Sequence, residues 1–209
     1  MPESLNKSKL EKACRILSTK YPELAFIVDK YGPPPLWDRP RGFPTLLHII
    51  LEQQVSLASA KACFDKLCLR VGQPTPESVI DSSDAELRTD GFSRQKAAYA
   101  RRLAQAVVEG SIDLAGLDSL SDENARNELK KLKGVGDWTA DIYLLMAMLR
   151  PDVMPKGDLA LHIAWERLTG ETRPDSNDFL EIAERWRPYR SVAARLLWHF
   201  YLSAPRTKR

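Results

Sequence analysis

One aspartate stands where its carboxylate could take part in chemistry. Asp158 follows Gly157 and precedes the apolar stretch from Leu159 to Leu168, a pattern typical of a residue that caps the start of a helix. The amides and the dipole of a helix start favour an ionised carboxylate, and a fixed anion can stabilise a positive charge that develops in a reaction. The pattern by itself is that of an ordinary helix cap, so a chemical role depends on what surrounds it.

A glycine-rich turn is the second feature suited to chemistry. Gly134 and Gly136 permit backbone conformations that other residues avoid, and they let main-chain amides approach an anionic group closely. Asp137 and Thr139 open a helix whose first N–H groups would favour a phosphate. The lysines around the turn are Lys130, Lys131 and Lys133. Such a turn also serves as a plain connection between helices, but the lysines favour a phosphate of a nucleic-acid backbone.

Cysteine and histidine usage excludes several metal centres. The chain has three of each, with no Cys-x-x-Cys pair and no ligand spacing among them. Neither a zinc site nor a four-cysteine iron–sulfur cluster is expected. Any chemistry must therefore come from carboxylates and aromatic side chains.

Length and composition limit the size of the fold but do not identify the binding partner of the protein. The 209 residues carry 31 Lys plus Arg against 28 Asp plus Glu, and the net charge of +3 does not by itself identify a nucleic-acid partner. The longest apolar run, Ile142 to Leu149, is far shorter than the roughly 20 residues that a membrane-spanning helix needs. We expect a compact, soluble, intracellular protein without a membrane partner.

Helical periodicity runs through nearly the whole chain. Apolar residues recur at intervals of three, four or seven from Leu46 to Leu67, which predicts one long, half-buried helix after Pro44. Serines that can cap a first turn predict helix starts at Ser83, Ser93 and Ser121. No stretch shows the apolar and polar alternation of strands, so the sequence predicts an all-α fold.

A proline-rich loop interrupts the helices from Gly32 to Pro44. It is expected to be extended and stiff, and to follow an N-terminal helix over Ser8 to Lys30. Its Trp37 is expected to pack against other residues, because an exposed indole is costly in water. Only the C-terminal segment Arg206 to Arg209 is expected to fray.

The motif KLKGVGDWTADIYL, from Lys131 to Leu144, resembles the helix-hairpin-helix of the DNA glycosylase superfamily. Two further stretches are similar to the 3-methyladenine DNA glycosylase II branch: LHIILEQQVSLASAKA from Leu47 to Ala62, and AERWRPYRSVAARLLWHFYL from Ala183 to Leu202. The resemblance runs in the family's order from about Tyr21 to Ser203 and is far more specific than the hairpin alone. It implies an all-α fold of two helical lobes, with the hairpin and a DNA-binding cleft between them.

The resemblance also implies a domain plan and an activity. We expect a single domain over residues 1–209, with approximate lobes at 45–135 and at 1–44 plus 136–209. The activity is that of a glycosylase that flips an alkylated purine, of the 3-methyladenine or 7-methylguanine type, and hydrolyses its N-glycosidic bond. The family's catalytic aspartate falls on Asp158, at the end of a Pro-Lys-Gly-Asp segment. One carboxylate suffices where the leaving base is already cationic, because no proton donor is then needed.

One position of the hairpin separates two kinds of glycosylase. In bifunctional members of the superfamily, the residue two after the second hairpin glycine is a lysine that attacks C1′. Trp138 stands there, which favours a monofunctional enzyme that leaves an intact abasic site. A bifunctional glycosylase/lyase for oxidised bases remains an alternative, as does a non-catalytic DNA-binding protein that senses lesions or DNA structure.

Aromatic and amide side chains complete the site that the resemblance implies. Trp198 matches a pocket aromatic of the branch, and Trp138 and Trp37 are candidates for further pocket walls. Gln53 and Gln54 match the wedge region that fills the gap left by a flipped nucleotide, and Gln54 is favoured as the inserted residue. Contacts to the DNA backbone are expected from Gly134, Gly136, Asp137, Thr139, Lys133 and Ser56.

Substrate range, cofactors and partners follow from the same resemblance. Ile142 and Leu159 stand where the branch can have aromatic residues, which leaves the breadth of substrates open. No cofactor is expected for catalysis, but the family's hairpin commonly holds a monovalent cation through main-chain carbonyls. Here these carbonyls would belong to Lys130, Leu132 and Val135. The expected partner is double-stranded DNA with alkylated bases, bound by a monomer in the cytoplasm at the nucleoid of a bacterium, or otherwise in a nucleus.

Overall fold

Every regular element is helical over the residues that the structure describes. The computed structural model describes residues 4–205, and within that range no residue lies in a β-strand. The predicted all-α fold is therefore confirmed. No helix in the same range is both long and apolar enough to cross a membrane. The segment Arg206 to Arg209, predicted to fray, lies outside the described residues.

The helices are short and follow one another through brief loops. In chain order they are α1 Lys7–Lys20, α2 Pro22–Tyr31, α3 Phe43–Glu52, α4 Leu57–Val71, α5 Pro76–Asp81, α6 Asp84–Asp90, α7 Arg94–Val108, α8 Asp122–Lys130, α9 Asp137–Ile142, α10 Leu159–Thr169, α11 Ser176–Glu184 and α12 Arg190–Ser203. A 3-10 turn, Gly116–Ser119, precedes α8, and α9 continues as a wide π turn over Tyr143–Ala147.

Serine caps fix several helix starts where the sequence predicts them. The hydroxyls of Ser83, Ser93 and Ser121 accept hydrogen bonds from amides three residues further on, at the starts of α6, α7 and α8. Gly91 ends α6 in the left-handed conformation, at φ 102°, which glycine adopts without steric cost. These boundaries depend only on neighbouring residues, and they are confirmed.

Two helices that the periodicity predicts as continuous are each split. The helix expected over Ser8 to Lys30 divides into α1 and α2 at Tyr21, because Pro22 lacks an amide hydrogen and drives the preceding residue into an extended conformation (φ −128°, ψ 103°). The helix expected from Leu46 to Leu67 divides into α3 and α4 around Gln54. The φ of Gln54 is 57°, in the left-handed region where a right-handed helix cannot continue.

The described residues form two compact units. One is Arg39–Met148, and the other comprises residues 4–38 and 149–205. The first unit extends further than the lobe expected at 45–135. The reason is that α9 packs on α3 and on α8, which keeps residues 136–148 with the rest of that unit.

Each unit is built around one helix that is buried on nearly all sides, as a core position requires. In the unit Arg39–Met148 this helix is α3, against which α4, α7 and α9 pack. It is more deeply buried than the half-buried face expected from the sequence. In the other unit the central helix is α12, which packs against α1, α2 and α10 and is buried throughout from Ser191 to Trp198. The core of this unit therefore fixes the position of Trp198.

Candidate active site and nucleic-acid interface

The Asp158 carboxyl group is buried and accepts hydrogen bonds from a helix amide and from an indole N–H. It caps α10, where its Oδ1 accepts from the Leu161 amide at 3.1 Å. The same oxygen accepts from the indole Nε1 of Trp198 at 3.2 Å, and the residue is 8% exposed. A helix amide and an indole N–H thus orient one carboxyl group, so a capping role and a chemical role are compatible in this residue.

Two tryptophans form an edge-to-face pair next to Asp158, in the same unit. The ring centroids of Trp37 and Trp198 are 6.5 Å apart, with 73° between the ring planes. Trp37 is half-buried in the proline-rich loop, and its φ of 49° lies in the left-handed region. A residue other than glycine adopts this conformation at a cost of about 1–2 kcal/mol, so contacts around the loop must hold it there. The structure brings Trp37 into the packed position that the sequence predicts.

Arg195 supplies a contact that holds the Trp37 loop. This residue of α12 is fully buried, and its Nε donates to the carbonyl of Leu36 at 2.8 Å while Nη1 donates to the carbonyl of Ser191 at 3.1 Å. Burial lowers the pKa of Arg195 to about 10, which still leaves the guanidinium charged at neutral pH. The signal that sequence reasoning missed was an arginine inside the apolar pattern of α12.

His162 lies one turn after Asp158 on α10 and is also buried. Its imidazole packs against the ring of Phe179, with 4.9 Å between the centroids. Burial lowers the pKa of His162, an effect that the nearby Asp158 only partly opposes. The imidazole is therefore neutral at neutral pH and places no positive charge beside Asp158.

The conformation and packing of the hairpin turn require a glycine at Gly134 but not at Gly136. Gly134 has φ 96°, and a Cβ there would overlap the ring of Tyr99. Gly136 has an extended backbone (φ −97°, ψ −173°), with open space where a Cβ would stand. As the N-cap of α9, Gly136 offers no side-chain oxygen to the first amides of that helix. An open approach to helix amides without a side-chain cap suits a phosphate group.

The polar side chains of the hairpin divide between its surface and its interior. Lys130 Nζ pairs with Asp137 Oδ1 at 2.5 Å, which neutralises the acid nearest the expected phosphate position. Lys133 is exposed, as a residue that contacts DNA should be. Thr139 is only 2% exposed, and its hydroxyl accepts from Gln53. The expected DNA contact of Thr139 is therefore limited to its main-chain amide.

The two glutamines of the wedge region differ in their surroundings. We name residues 53–56 the wedge corner, the segment that joins α3 to α4. Gln53 Nε2 donates to the carbonyl of Gly134 and to Thr139 Oγ1, both at 2.8 Å. Gln54 is exposed and has the left-handed backbone described above. The Gln53 amide is engaged with the hairpin, whereas the Gln54 side chain is exposed, and the wedge role of both residues stays a prediction.

The remaining predicted site residues lie as follows. Ser56 is exposed, and its hydroxyl caps α4. Trp138 is the second residue of α9 and is half-buried in the unit Arg39–Met148. Ile142 is buried, whereas Leu159 is 60% exposed directly after Asp158. Of these two departures from the family pattern, Leu159 is therefore the one with an exposed side chain beside Asp158.

The carbonyls predicted to hold a cation lie in and beside the hairpin turn. The Leu132 carbonyl accepts from the Val135 amide at 3.0 Å, which uses one of its two lone pairs. Carbonyl oxygens are ligands that a monovalent cation accepts in proteins. Within the described range, no group of His, Cys, Asp or Glu could hold a metal ion. The hairpin cation stays a prediction.

Asp141, the other carboxylate near the hairpin, forms a buried ion pair. Its Oδ1 accepts from Arg126 Nε at 2.6 Å, and its side chain is 4% exposed. The pair joins α8 to α9 and so stabilises the hairpin. Asp141 is thus engaged in a local polar contact, and Asp158 is left as the candidate catalytic carboxylate.

Replacing Arg126 with methionine should lower the free energy of unfolding by about 3 kcal/mol, because the buried Asp141 would lose its ion pair with the Arg126 guanidinium. Urea denaturation followed by circular dichroism measures the change. The matched control is Lys131→Met, which removes a mostly exposed cation paired with Glu128 and should cost less than about 1 kcal/mol. Equal losses in the two variants would contradict a structural role for the buried pair.

Comparison with known proteins identifies the family. Residues 47–188 match a family model described as HhH-GPD superfamily base excision DNA repair protein. DNA-3-methyladenine glycosylase 1 of Schizosaccharomyces pombe is 29% identical over 197 residues, which cover 92% of this chain and 86% of that protein. YfjP of Bacillus subtilis is 28% identical over 162 residues, which cover 73% of this chain but only 56% of that protein.

A solved structure agrees with these matches. Schizosaccharomyces pombe 3-methyladenine DNA glycosylase (Mag1), in complex with abasic DNA, matches the fold with a TM-score of 0.86 at 29% identity, over 94% of this chain and 100% of that chain. The resemblance to 3-methyladenine DNA glycosylases is confirmed. Because the family model spans more than half of the sequence, the chain belongs to the HhH-GPD superfamily of base excision DNA repair proteins.

Proposed function

We propose that the protein is a monofunctional DNA glycosylase that removes alkylated purines, of the 3-methyladenine and 7-methylguanine type, from double-stranded DNA. The observation that carries this proposal is the buried Asp158 carboxyl group, oriented by a helix amide and by the indole of Trp198, which pairs with Trp37. Family membership and the similarity to Mag1, solved with abasic DNA, support it.

The reaction needs one fixed anion and a water molecule. The C1′–N bond breaks with its electron pair going to the base, the sugar gains oxocarbenium character, and water then adds at C1′ and loses a proton. The Asp158 carboxylate stabilises the positive sugar electrostatically, and its hydrogen bonds from the Leu161 amide and the Trp198 indole orient it before the reaction begins. A purine alkylated at N3 or N7 is already cationic, so it departs as a neutral molecule without a proton donor.

The tryptophan pair supplies a preference for the damaged base. The face of an aromatic ring attracts a cation by about 0.5–2 kcal/mol, and a neutral purine lacks this attraction. Trp198 is fixed by the core of its unit and Trp37 by the loop that Arg195 holds. Rigid rings of this kind cost little conformational entropy when a base binds between or beside them.

The hairpin supplies affinity for DNA that does not depend on sequence. Main-chain amides at the start of α9 bind a backbone phosphate through the open side of Gly136, and Lys133 adds a cation to the same surface. We propose that the protein acts as a monomer, without a cofactor in the chemical step, wherever the genomic DNA of the cell lies.

Duplex DNA treated with a methylating agent should lose free 3-methyladenine and 7-methylguanine when the wild-type protein is added. Chromatography of the released bases measures this directly. The strand should stay intact until alkali cleaves the abasic sites, and borohydride should trap no covalent adduct, because Trp138 occupies the position of the lyase lysine. DNA binding without base release would overturn the enzymatic proposal, and a trapped adduct would overturn the monofunctional assignment.

Gln54→Ala should lower the affinity for lesion-bearing duplex by about tenfold, because filling the gap offsets part of the few kcal/mol lost when a nucleotide is flipped. Affinity for a single strand carrying the same lesion should stay nearly constant, since no gap opens there. Fluorescence anisotropy measures both. Gln105→Ala, the same change at an exposed position of α7, is the matched control, and equal losses on duplex and single strand would remove Gln54 as the wedge.

A further inference from the structure

The side chain of Gln53 joins the wedge corner to the hairpin turn. We infer that Gln53 is a positioning residue that fixes where the Gln54 wedge stands relative to the phosphate-binding amides. This inference rests on the proposed function and deepens it. Its basis is that Gln53 Nε2 makes two hydrogen bonds of 2.8 Å to the hairpin, one to the carbonyl of Gly134 and one to Thr139 Oγ1.

These two acceptors lie on either side of the first residue of α9 in the chain. Gly134 is in the turn itself, and Thr139 is in the first turn of α9. A side-chain amide has two N–H donors, so these two bonds use its full donating capacity. Because Thr139 is buried and Gln53 is half-buried, these hydrogen bonds are partly shielded from competing water.

The segment before the corner is held by separate contacts. Lys96 Nζ donates to the carbonyl of Leu51 at 2.5 Å. Arg39 forms a two-pronged ion pair with Glu52, at 2.8 and 3.1 Å. These contacts fix the end of α3, and the Gln53 amide joins the corner itself to the hairpin.

Beyond Gln53 the corner is open to solvent. Gln54 and Val55 are exposed, and Ser56 is exposed with its hydroxyl directed to its own helix, α4. The backbone of Gln54 is in the left-handed region, a conformation that persists only where surrounding contacts impose it. The Gln53 bonds are adjacent in the chain to this strained residue, so they determine the direction in which Gln54 extends.

The consequence is that the distance between the phosphate-binding amides of α9 and the Gln54 wedge is fixed. When a backbone phosphate binds at α9, Gln54 is placed beside one particular pair of neighbouring bases. The corner then does not have to sample other conformations before Gln54 enters the duplex. Without the Gln53 bonds, the hairpin should still bind the backbone, but Gln54 should enter the duplex less often. Gln53 therefore acts through Gln54 and not on the reacting atoms.

A double-mutant cycle over Gln53→Met and Gln54→Ala tests this coupling without requiring catalysis. The probe is a duplex with a tetrahydrofuran abasic site beside 2-aminopurine, whose fluorescence rises when the wedge unstacks it. We expect Gln53→Met to reduce the fraction of unstacked probe at saturating protein by about tenfold in the wild-type background, and by less than about twofold in the Gln54→Ala background. Affinity for undamaged duplex should change by less than about twofold.

The controls separate positioning from folding and from the proposed function. Gln105→Met makes the same chemical change at an exposed position and should leave the probe signal unchanged. Thermal unfolding midpoints identify any variant that fails to fold, and in that case Gln53→Glu, which keeps the size of the side chain but loses both donors, replaces Gln53→Met. Additive effects of the two substitutions, or an equal loss on undamaged duplex, would overturn the inference. Failure of the wild type to release a base overturns the proposed function instead, since the probe signal does not depend on cleavage.

Discussion

Changing Asp158 to asparagine should slow the release of an alkylated purine by about 10²- to 10³-fold and leave the fold and the DNA affinity nearly unchanged. Asparagine has almost the same shape and is also a good helix cap, so its carbonyl oxygen can still accept from the Leu161 amide and from the Trp198 indole. The difference between the two side chains is the negative charge. Single-turnover release of 7-methylguanine from methylated duplex measures the effect.

The matched control is Asp175→Asn, at the cap of the next helix. Asp175 accepts from the amides of Asn177 and Asp178, and these hydrogen bonds lower the pKa of its carboxyl group. If an aspartate cap contributed to base release only by stabilising a helix, the two variants would behave alike. We expect full release by Asp175→Asn. A variant Asp158→Asn that releases bases at the wild-type rate would contradict the assigned role.

Gly136→Val should weaken binding to damaged and undamaged duplex alike, by about 10- to 100-fold. The extended backbone of Gly136 and the open space around it accept a branched side chain without strain. That side chain would then occupy the space through which a phosphate reaches the α9 amides, and charge-assisted hydrogen bonds of this kind contribute about 1.5–3 kcal/mol. Titration of labelled duplexes with and without an abasic site measures both affinities.

Gly134→Ala distinguishes loss of the phosphate contact from loss of the fold. At φ 96°, with its Cβ overlapping the Tyr99 ring, alanine at this position should lower the unfolding midpoint, whereas Gly136→Val should not. Two glycines two residues apart thus serve different ends. A loss of binding in Gly136→Val confined to damaged DNA would contradict the phosphate-binding role of the hairpin.

Features set by neighbouring residues could be predicted from the sequence. The serine caps of α6, α7 and α8 and the capping role of Asp158 each depend on three or four consecutive residues. The all-α class follows from periodicity that no strand pattern opposes. The helix breaks at Tyr21 and Gln54 were missed in the sequence analysis. Hydrophobic periodicity shows which face of a helix is apolar, but it does not show whether the helical backbone continues without a break. Pro22 was a readable signal for the first break, but nothing in the sequence around Gln54 marks a left-handed residue.

Features set by distant residues could not be predicted. Trp198 was chosen as a pocket aromatic through the family resemblance, but its hydrogen bond to Asp158 joins residues 40 positions apart. The direction of the Gln53 amide depends in the same way on a hairpin carbonyl 81 positions away. Sequence pattern and the family resemblance supplied the candidate residues of the site, whereas the packing of helices decides which of them touch.

The central claim is that the negative charge of Asp158 stabilises a cationic sugar, and binding of a stable mimic of that cation tests it most directly. Two abasic duplexes are compared, one with a neutral tetrahydrofuran ring and one with a pyrrolidine ring whose protonated nitrogen carries the positive charge. The measurement is the ratio of their dissociation constants for the wild type and for Asp158→Asn. We predict that the wild type binds the pyrrolidine duplex about 10²-fold more tightly and that Asp158→Asn binds both equally. A preference for pyrrolidine that survives unchanged in Asp158→Asn would contradict the account.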